Sequence, residues 1–202
     1  MRAPHIDDIL ERLHTLQTEL ETEIEKVLKE KRELFQYTLE KGRVRFEQGV
    51  LALQRKHKQG SWSYISNARL SHLMSAPIVY SLIVPFVLLD VMISFYQQVC
   101  FRVYSIERVS RSDYFIWDRR KLAYLNLVEK LNCMYCAYGN GLIEYAREII
   151  ARTEQYWCPL KHARRSPDPH RLVENFLDYG DVEAYKDQLQ GVREEITTLK
   201  KN

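Results

Sequence analysis

Three cysteines and one histidine in the C-terminal half of this 202-residue chain stand in two close pairs. Two residues separate Cys133 from Cys136, three separate Cys158 from His162, and 21 residues lie between the pairs. Thiolate and imidazole ligands suit a tetrahedral zinc ion, and short spacing lets each pair bind from a single turn. Iron accepts the same ligands. The spacing therefore predicts a Cys3His metal site that holds zinc or iron.

Two other interpretations of these cysteines stay open. Cysteine is often buried as a small apolar residue, so the thiols can simply be part of a core. A redox-active Cys-x-x-Cys pair usually stands at a helix N-terminus beside a strand, and no strand–helix–strand pattern surrounds Cys133. Cys100 is distant from the others in sequence and is interpreted as a packing residue. No glycine-rich phosphate loop is present, so no motif supports nucleotide-dependent catalysis.

The segment that carries the first cysteine pair, residues 113–156, has the apolar periodicity of helices. Apolar residues recur at helical spacing before Cys133 and again after Cys136. Between these runs, the sequence YGNG at residues 138–141 predicts either a turn or a close approach of two backbones, because glycine permits both. Residues 102–165 are therefore predicted to form a helical domain that contains the Cys/His site.

The most pronounced pattern in the chain is an apolar segment at residues 76–101, whose one charged residue is Asp90. As a helix this segment would be roughly 39 Å long, enough to cross a hydrocarbon layer of about 30 Å. Residues 60–75 precede it and mix aromatic with polar side chains, a composition typical of a membrane interface. A buried core helix is the alternative, although such helices usually have shorter apolar runs. We therefore expect the protein to bind the lipid bilayer.

The flanks of this segment predict its orientation. More basic residues follow it than precede it, and positively charged flanks stay in the cytoplasm. We expect the protein in the cell (cytoplasmic or inner) membrane, with its C-terminal region on the cytoplasmic side. Pro85 can divide the segment into two half-helices, so a span and a re-entrant hairpin both fit the sequence. Asp90 is expected to pair with a basic residue or with backbone donors freed at Pro85, and a role in transport is the alternative.

Both ends of the chain predict amphipathic helices. Within residues 1–59 one helix is expected over residues 6–41, where apolar residues recur every seven positions as in coiled coils, and we expect it to continue to about residue 58. The repeat consists of Ile6, Leu13, Leu20, Val27 and Leu34. Residues 166–202 predict a linker followed by a helix with an apolar stripe over residues 181–201. We expect this C-terminal helix to pack on the N-terminal one, or the two helices to bind a second copy or another protein.

Composition excludes other classes of protein. A net charge of +3 is too small for a nucleic-acid-binding face. Four cysteines are too few for a disulfide-stapled secreted domain, and residues 1–30 contain no apolar core of a signal peptide. Together with the periodicities above, this predicts an all-α protein with a coiled-coil-like N-terminal helix, a membrane segment, a helical Cys/His region and a C-terminal amphipathic helix.

Three short blocks resemble a family of uncharacterised bacterial membrane-associated proteins. The blocks read NCMYC at residues 132–136, YGNG at residues 138–141 and RTEQYWCPLKHA at residues 152–163. The resemblance covers residues 77–180. It implies a membrane location and does not imply a particular reaction.

The function expected from these features is that of a membrane-anchored scaffold or adaptor, in which any bound metal ion is structural. The first alternative is a membrane-associated redox or iron-dependent protein that uses Cys133, Cys136, Cys158 and His162. A weaker alternative is a transport component that uses Asp90. No catalytic residue is predicted.

Overall fold

The computed structural model describes residues 4–40, 43–164 and 166–198 of the chain. Helices account for most of these residues, which confirms the prediction of an all-α protein, and one short hairpin provides strands. The chain forms two compact units. The first comprises Met1–Gly60 with Arg120–Asn126, and the second comprises Ser61–Arg119 with Leu127–Asn202.

The first unit begins with a long helix that is followed by a hairpin. Its elements are α1 (Pro4–Leu34), β1 (Tyr37–Glu40), β2 (Arg43–Phe46) and α2 (Gln48–Lys56). The strands pair antiparallel, with Tyr37 opposite Phe46 and their ring centroids 5.6 Å apart. Aromatic and β-branched residues favour a pleated, half-buried surface, which explains why the chain leaves the helical conformation here. The expectation of one helix from residue 6 to residue 58 is therefore wrong between α1 and α2.

The apolar stripe of α1 is exposed. Leu16, Leu20 and Leu34 have exposed fractions of 64%, 61% and 67%. Helices in proteins gain most of their stability from packing an amphipathic face. No described residue of the first unit covers this stripe, so it is suited to binding a partner. The coiled coil itself stays a prediction.

The second unit contains two long helices and three shorter ones among its described residues. They are α3 (Ser61–Ser66), α4 (Leu70–Ser81), α5 (Ile83–Val103), α6 (Leu127–Trp157) and α7 (Val182–Thr198). Short 3-10 helices lie in the connections, among them Arg111–Asp113 before α6 and Arg171–Asn175 before α7.

Together α4 and α5 form the apolar helix that the sequence predicts. Leu70–Val103 is 34 residues long and contains an 18-residue window with a mean hydropathy of 2.3, so it is long and apolar enough to cross a membrane. It is interrupted at Leu82 because Pro85 cannot donate to the carbonyl of Ser81 and its ring clashes with that carbonyl. Leu82 nevertheless keeps helical angles of φ −64° and ψ −13°. The chain therefore continues past Pro85 and does not fold back there as a hairpin.

Helices α5 and α6 pack side by side and run in the same direction. Near the start of the pair, the rings of Phe86 in α5 and Tyr135 in α6 have centroids 6.2 Å apart. Near its end, Tyr104 stacks on Tyr156 with centroids 4.9 Å apart. Because α5 and α6 are parallel, the chain must return from the end of α5 to the start of α6 before α6 can begin. Residues 104–119, the return segment, begin this connection.

Polar contacts attach the return segment to both helices. The Gln97 side chain accepts a hydrogen bond from Val109 N at 2.6 Å and donates one to the Tyr145 hydroxyl at 2.7 Å. Further along the segment, Arg111 reaches Asp90. Since Arg111 follows Val109 while Asp90 precedes Gln97, the return segment runs antiparallel to α5.

The core of the second unit joins α5, α6, α7 and the return segment. Its completely or almost completely buried side chains include Phe101, Leu142, Ile149 and Ile196. Ile196 belongs to α7, and the carbonyl of Val192 in the same helix accepts a hydrogen bond from Gln155 of α6. The apolar stripe of the C-terminal helix thus packs on α6, which has buried residues on more than one side and can cover α5 and α7 together. Packing of the C-terminal helix on the N-terminal one stays a prediction.

Candidate functional site

The four predicted metal ligands are spread along and beyond one helix. Cys133 and Cys136 lie near the start of α6, and Cys158 directly follows its last residue. Because α6 is continuous, 22 residues at 1.5 Å each separate Cys136 from Cys158 by roughly 33 Å. Zinc–sulfur bonds are only about 2.3 Å long. The structure therefore does not bring the predicted Cys3His ligands together, and one ion cannot bind Cys133, Cys136, Cys158 and His162 at the same time.

The helix stays continuous through residues 138–141 because the glycines there allow close packing. A Cβ atom on Gly141 would lie 2.7 Å from the carbonyl oxygen of Tyr114, and one on Gly139 would lie 3.0 Å from the Phe86 ring. Of the two interpretations of YGNG, the close approach of neighbouring chain segments is confirmed and the turn is wrong. The two ligand pairs would meet only if the chain turned at this point.

The thiols themselves are accessible to different degrees. Cys136 and Cys158 are exposed, whereas Cys133 and Cys100 are half-buried. His162 is exposed in the segment after α6. Within residues 4–40, 43–164 and 166–198, no group of three or more His, Cys, Asp and Glu side chains is placed to hold a metal ion. Binding of zinc or iron by part of the predicted set stays a prediction.

Asp90, the charged residue of the apolar segment, is engaged by three side chains. Arg111 forms a two-pronged ion pair with it, in which Nη2 lies 2.6 Å from Oδ2. Tyr138 donates a hydrogen bond to Oδ2 at 2.9 Å, and Ser94 donates one to Oδ1 at 3.4 Å. The Arg111 guanidinium also lies 4.0 Å from the centroid of the Phe115 ring. This arrangement confirms the prediction that Asp90 pairs with a basic residue.

The groups around Asp90 hold their protons firmly. The hydrogen bond to Asp90 raises the pKa of Arg111 above its usual range. Burial, together with the hydrogen bond to Asp90, raises the pKa of Tyr138 to about 12. Neither group exchanges its proton near neutral pH. The cluster is therefore suited to holding the return segment against α5 and α6 rather than to relaying protons.

A second charged cluster surrounds Glu148 on α6. The Glu148 side chain is 8% exposed, pairs with Arg152 at 2.9 Å, and also pairs with Arg171. A spacing of four residues on a helix predicts the first pair, but on a solvated face. Arg171 comes from the 3-10 helix before α7 and covers the pair, which the sequence does not reveal. Burial alone raises the pKa of Glu148, but the hydrogen bonds from Arg171 and Arg152 outweigh it and bring the pKa below its usual value.

A cavity of about 430 Å³ lies between α6 and the connection to α7. Helix α6 contributes Arg147 and Glu154, which are seven residues apart and therefore project on the same side. The connection contributes His162, Arg164 and His170, and His170 Nε2 lies 3.0 Å from the Glu154 carboxylate. Sequence spacing points to His162 only. Glu154 and His170 are 16 residues apart and meet only because the connection folds back on α6.

No protein-family model, curated protein or solved structure matches this chain.

Proposed function

We propose that the chain is a membrane-attached helical scaffold that contacts lipid through α4 and α5 and presents its other surfaces to proteins. The outer side of α5 is the observation that carries this proposal. One side of this helix packs on α6, and the opposite side exposes an apolar stripe, the outer stripe. It comprises Val84, Leu88, Val91, Met92, Phe95 and Val99, with exposed fractions between 44% and 69%.

Lipid accommodates such a stripe better than water does. Removing apolar surface from water contributes about 25 cal/mol per Å², and large contiguous apolar patches on soluble proteins mark interaction surfaces. Helix α4 adds Leu70, Met74 and Ile78, which are 72%, 71% and 72% exposed. None of the most apolar 18-residue window is buried, which argues against the alternative of a core helix.

The packed side of the apolar helix favours attachment over a simple span. Tyr135 of α6 donates a hydrogen bond to the carbonyl of Val79 at 2.7 Å, so the start of α6 lies beside the apolar segment. Further along, Tyr138 contacts Asp90 and Thr153 contacts Tyr96, so the part of α6 between them lies beside the middle of the apolar segment. A span would carry Glu144 and Arg147 from this part to membrane depth, where a charged side chain costs about 2.5–3.5 kcal/mol or more. The proposal therefore puts the outer stripe in lipid and α6 toward water. The basic residues after α5 favour the cytoplasmic side of the cell membrane.

Flotation with phospholipid vesicles tests the attachment. Leu88→Glu introduces a charge into the outer stripe and is expected to leave most of the protein in the dense fraction of a gradient. Val182→Glu is the matched control, because Val182 of α7 is exposed to the same extent as Leu88, at 63%. This variant is expected to float with the vesicles like the unchanged chain. Equal behaviour of the two variants would contradict the proposal.

Thiol labelling tests which side each flank occupies. Gly60→Cys, in a chain whose other cysteines except Cys158 are replaced by serine, provides one thiol on each flank of the apolar segment. Surface attachment predicts that both thiols react with a membrane-impermeant maleimide from the same side of sealed vesicles. A span predicts reaction from opposite sides.

The scaffold part of the proposal is supported by the exposed seven-residue repeat of α1, which is suited to a second copy or another helical protein. The redox alternative has weaker support, because Cβ atoms three residues apart on a helix are about 5–6 Å apart. A disulfide needs about 3.5–4.5 Å between Cβ atoms, so Cys133 and Cys136 can join only if α6 unwinds locally.

A further inference from the structure

The cavity between α6 and the connection to α7 is rich in basic side chains. These are Arg147, Lys161, His162, Arg164 and His170, and the acidic side chains of the lining are Glu154 and Asp168. Arg147 is offset by Asp168, and Lys161 is offset by Asp178 just outside the lining. Arg164 is the cation of the lining that no described carboxylate contacts, so this part of the cavity favours a negatively charged occupant.

Three of the basic groups are already engaged by acidic ones. The pairs are Arg147 with Asp168 at 3.0 Å, Lys161 with Asp178 at 2.8 Å and His170 with Glu154 at 3.0 Å. No described residue forms a hydrogen bond or an ion pair with the side chain of His162 or Arg164. These two side chains are therefore free to bind a ligand.

The remaining wall of the cavity is apolar and includes Leu160, Val173 and Phe176. Phe176 is 2% exposed and Val173 packs against the core of the unit, so this wall is fixed by the fold. A volume of about 430 Å³ lies in the range of about 300–1,000 Å³ that is usual for small-molecule sites. In such sites apolar contacts hold the body of a ligand and a few polar groups orient it.

The cavity opens on the side of α6 that is turned away from α5. Tyr145 marks the α5 side, because it receives the hydrogen bond from Gln97. Arg147 follows two residues later and therefore projects about 200° further round the helix. The cavity and the outer stripe of α5 therefore lie on opposite sides of the α5–α6 pair.

We propose that this cavity binds a small organic anion, either a carboxylate or a phosphate monoester with a compact apolar body. Arg164 and His162 hold the anionic group, and the body lies against Leu160 and Val173. This site does not depend on the proposed membrane attachment.

Isothermal titration calorimetry of the full chain with phenyl phosphate and with benzoate tests the proposal. At least one of them is expected to bind saturably at one site per chain. It should bind at least about fivefold more tightly than inorganic phosphate, which lacks the body, and benzyl alcohol, which lacks the charge. No saturable binding of either anion overturns the proposal, and so does equal affinity for benzyl alcohol or inorganic phosphate.

Substitutions assign the binding to this cavity. Arg164→Ala is expected to weaken binding about five- to tenfold, because charge-assisted hydrogen bonds are roughly twice as strong as neutral ones. Arg119→Ala, at another exposed arginine of the same unit, should leave the affinity unchanged.

Val173→Thr tests the apolar wall, because it puts a hydroxyl against the apolar body of the ligand at nearly constant volume. It should weaken the binding of phenyl phosphate but not that of inorganic phosphate. Circular dichroism melting confirms that each variant is folded, and equal affinities of the two arginine variants overturn the assignment.

Discussion

Asp90 and Glu148 are carboxylates with little solvent exposure, and each is held by an arginine that lies far away in the sequence. Arg111 follows Asp90 by 21 residues, and Arg171 follows Glu148 by 23. Removing one partner of such a pair leaves the other charge poorly solvated, which costs more than the lost contact alone. Both carboxylates therefore fasten a connecting segment to the helices.

Asp90→Asn is expected to lower the free energy of unfolding by about 1–3 kcal/mol, because Arg111 loses its counter-charge. The cost stays moderate because the Arg111 side chain is 44% exposed and water partly replaces the partner. Thermal unfolding in detergent, followed by circular dichroism, measures the loss. The control Glu107→Gln removes a 52% exposed carboxylate 4.0 Å from Arg152 and should change stability by less than about 0.5 kcal/mol. A loss at Asp90 no larger than in the control would contradict the anchoring role.

Glu148 gives the stability a dependence on pH. Its pKa in the folded protein lies below the ordinary value of 4.5, so its contribution is fully present above that value and is lost as pH falls through the folded-state pKa. Glu148→Gln should therefore be less stable than the unchanged chain at about pH 6, and the difference should shrink toward about pH 3. Denaturant titrations at the two pH values measure it. Glu144→Gln, at a 58% exposed carboxylate, should show no such trend.

Helix α6 is the element on which the cysteines, both charged clusters and the cavity depend. Its two buried glycines let α5 and the return segment approach its backbone. Glycine has no side chain, so it lets the neighbouring segments approach the α6 backbone closely. Here the glycines serve this packing, and α6 does not turn at them.

Two glycine substitutions with opposite expected signs test this packing. Gly141→Ala should destabilise the chain by about 1–3 kcal/mol, because the added Cβ would overlap the Tyr114 carbonyl oxygen. Gly191→Ala in α7 meets no atom within 4 Å and should stabilise by about 0.4–1 kcal/mol through the unfolded state. Both free energies of unfolding are measured under the same conditions. Equal destabilisation by both variants would show that overlap with the Tyr114 carbonyl oxygen is not the reason for the first effect.

Spin labels on Cys136 and Cys158 test the separation of the predicted ligand pairs. With Cys100 and Cys133 replaced by serine, double electron–electron resonance should give a narrow distribution near roughly 33 Å, with a few ångströms added by the label arms. A distance below about 15 Å would mean that the pairs converge and would restore a shared metal site. Adding zinc should leave the distance unchanged.

At the scale of the molecule, two long apolar surfaces are exposed within the described ranges of the chain, the stripe of α1 and the outer stripe of α5. The α1 surface repeats every seven residues with charged residues between, which is the pattern of helices that pair with each other. The outer stripe has no charged residue within it, which suits lipid better. The two surfaces therefore predict two different partners.

Leu20→Glu tests self-association through α1. The unchanged chain in detergent is expected to sediment as an oligomer whose mass rises with concentration, because the exposed stripe pairs with that of a second copy. Leu20→Glu places a charge in the stripe and should shift the chain to monomer, whereas the neighbouring Glu21→Gln should not. A monomeric unchanged chain would contradict self-association and leave α1 to a different protein.

Several features followed from the sequence because they depend on neighbouring residues. The apolar segment and the helical periodicity around the cysteines are local patterns, and each corresponds to a helix in the structure. Tyr37 and Phe46 show where local patterns mislead, since both lie within the predicted helix but pair as opposite residues of two strands.

The amino-acid sequence by itself determined that the chain is helical and carries one long apolar helix, because periodicity and composition act over a few turns. Only the tertiary structure decided that α6 runs straight through its glycines and keeps Cys136 far from Cys158. It alone brought Arg111 to Asp90 and assembled the basic cavity around His162 and Arg164. The physical reason is that these contacts join residues whose separation depends on the path of the connecting segments, and that path is set by packing of the whole unit.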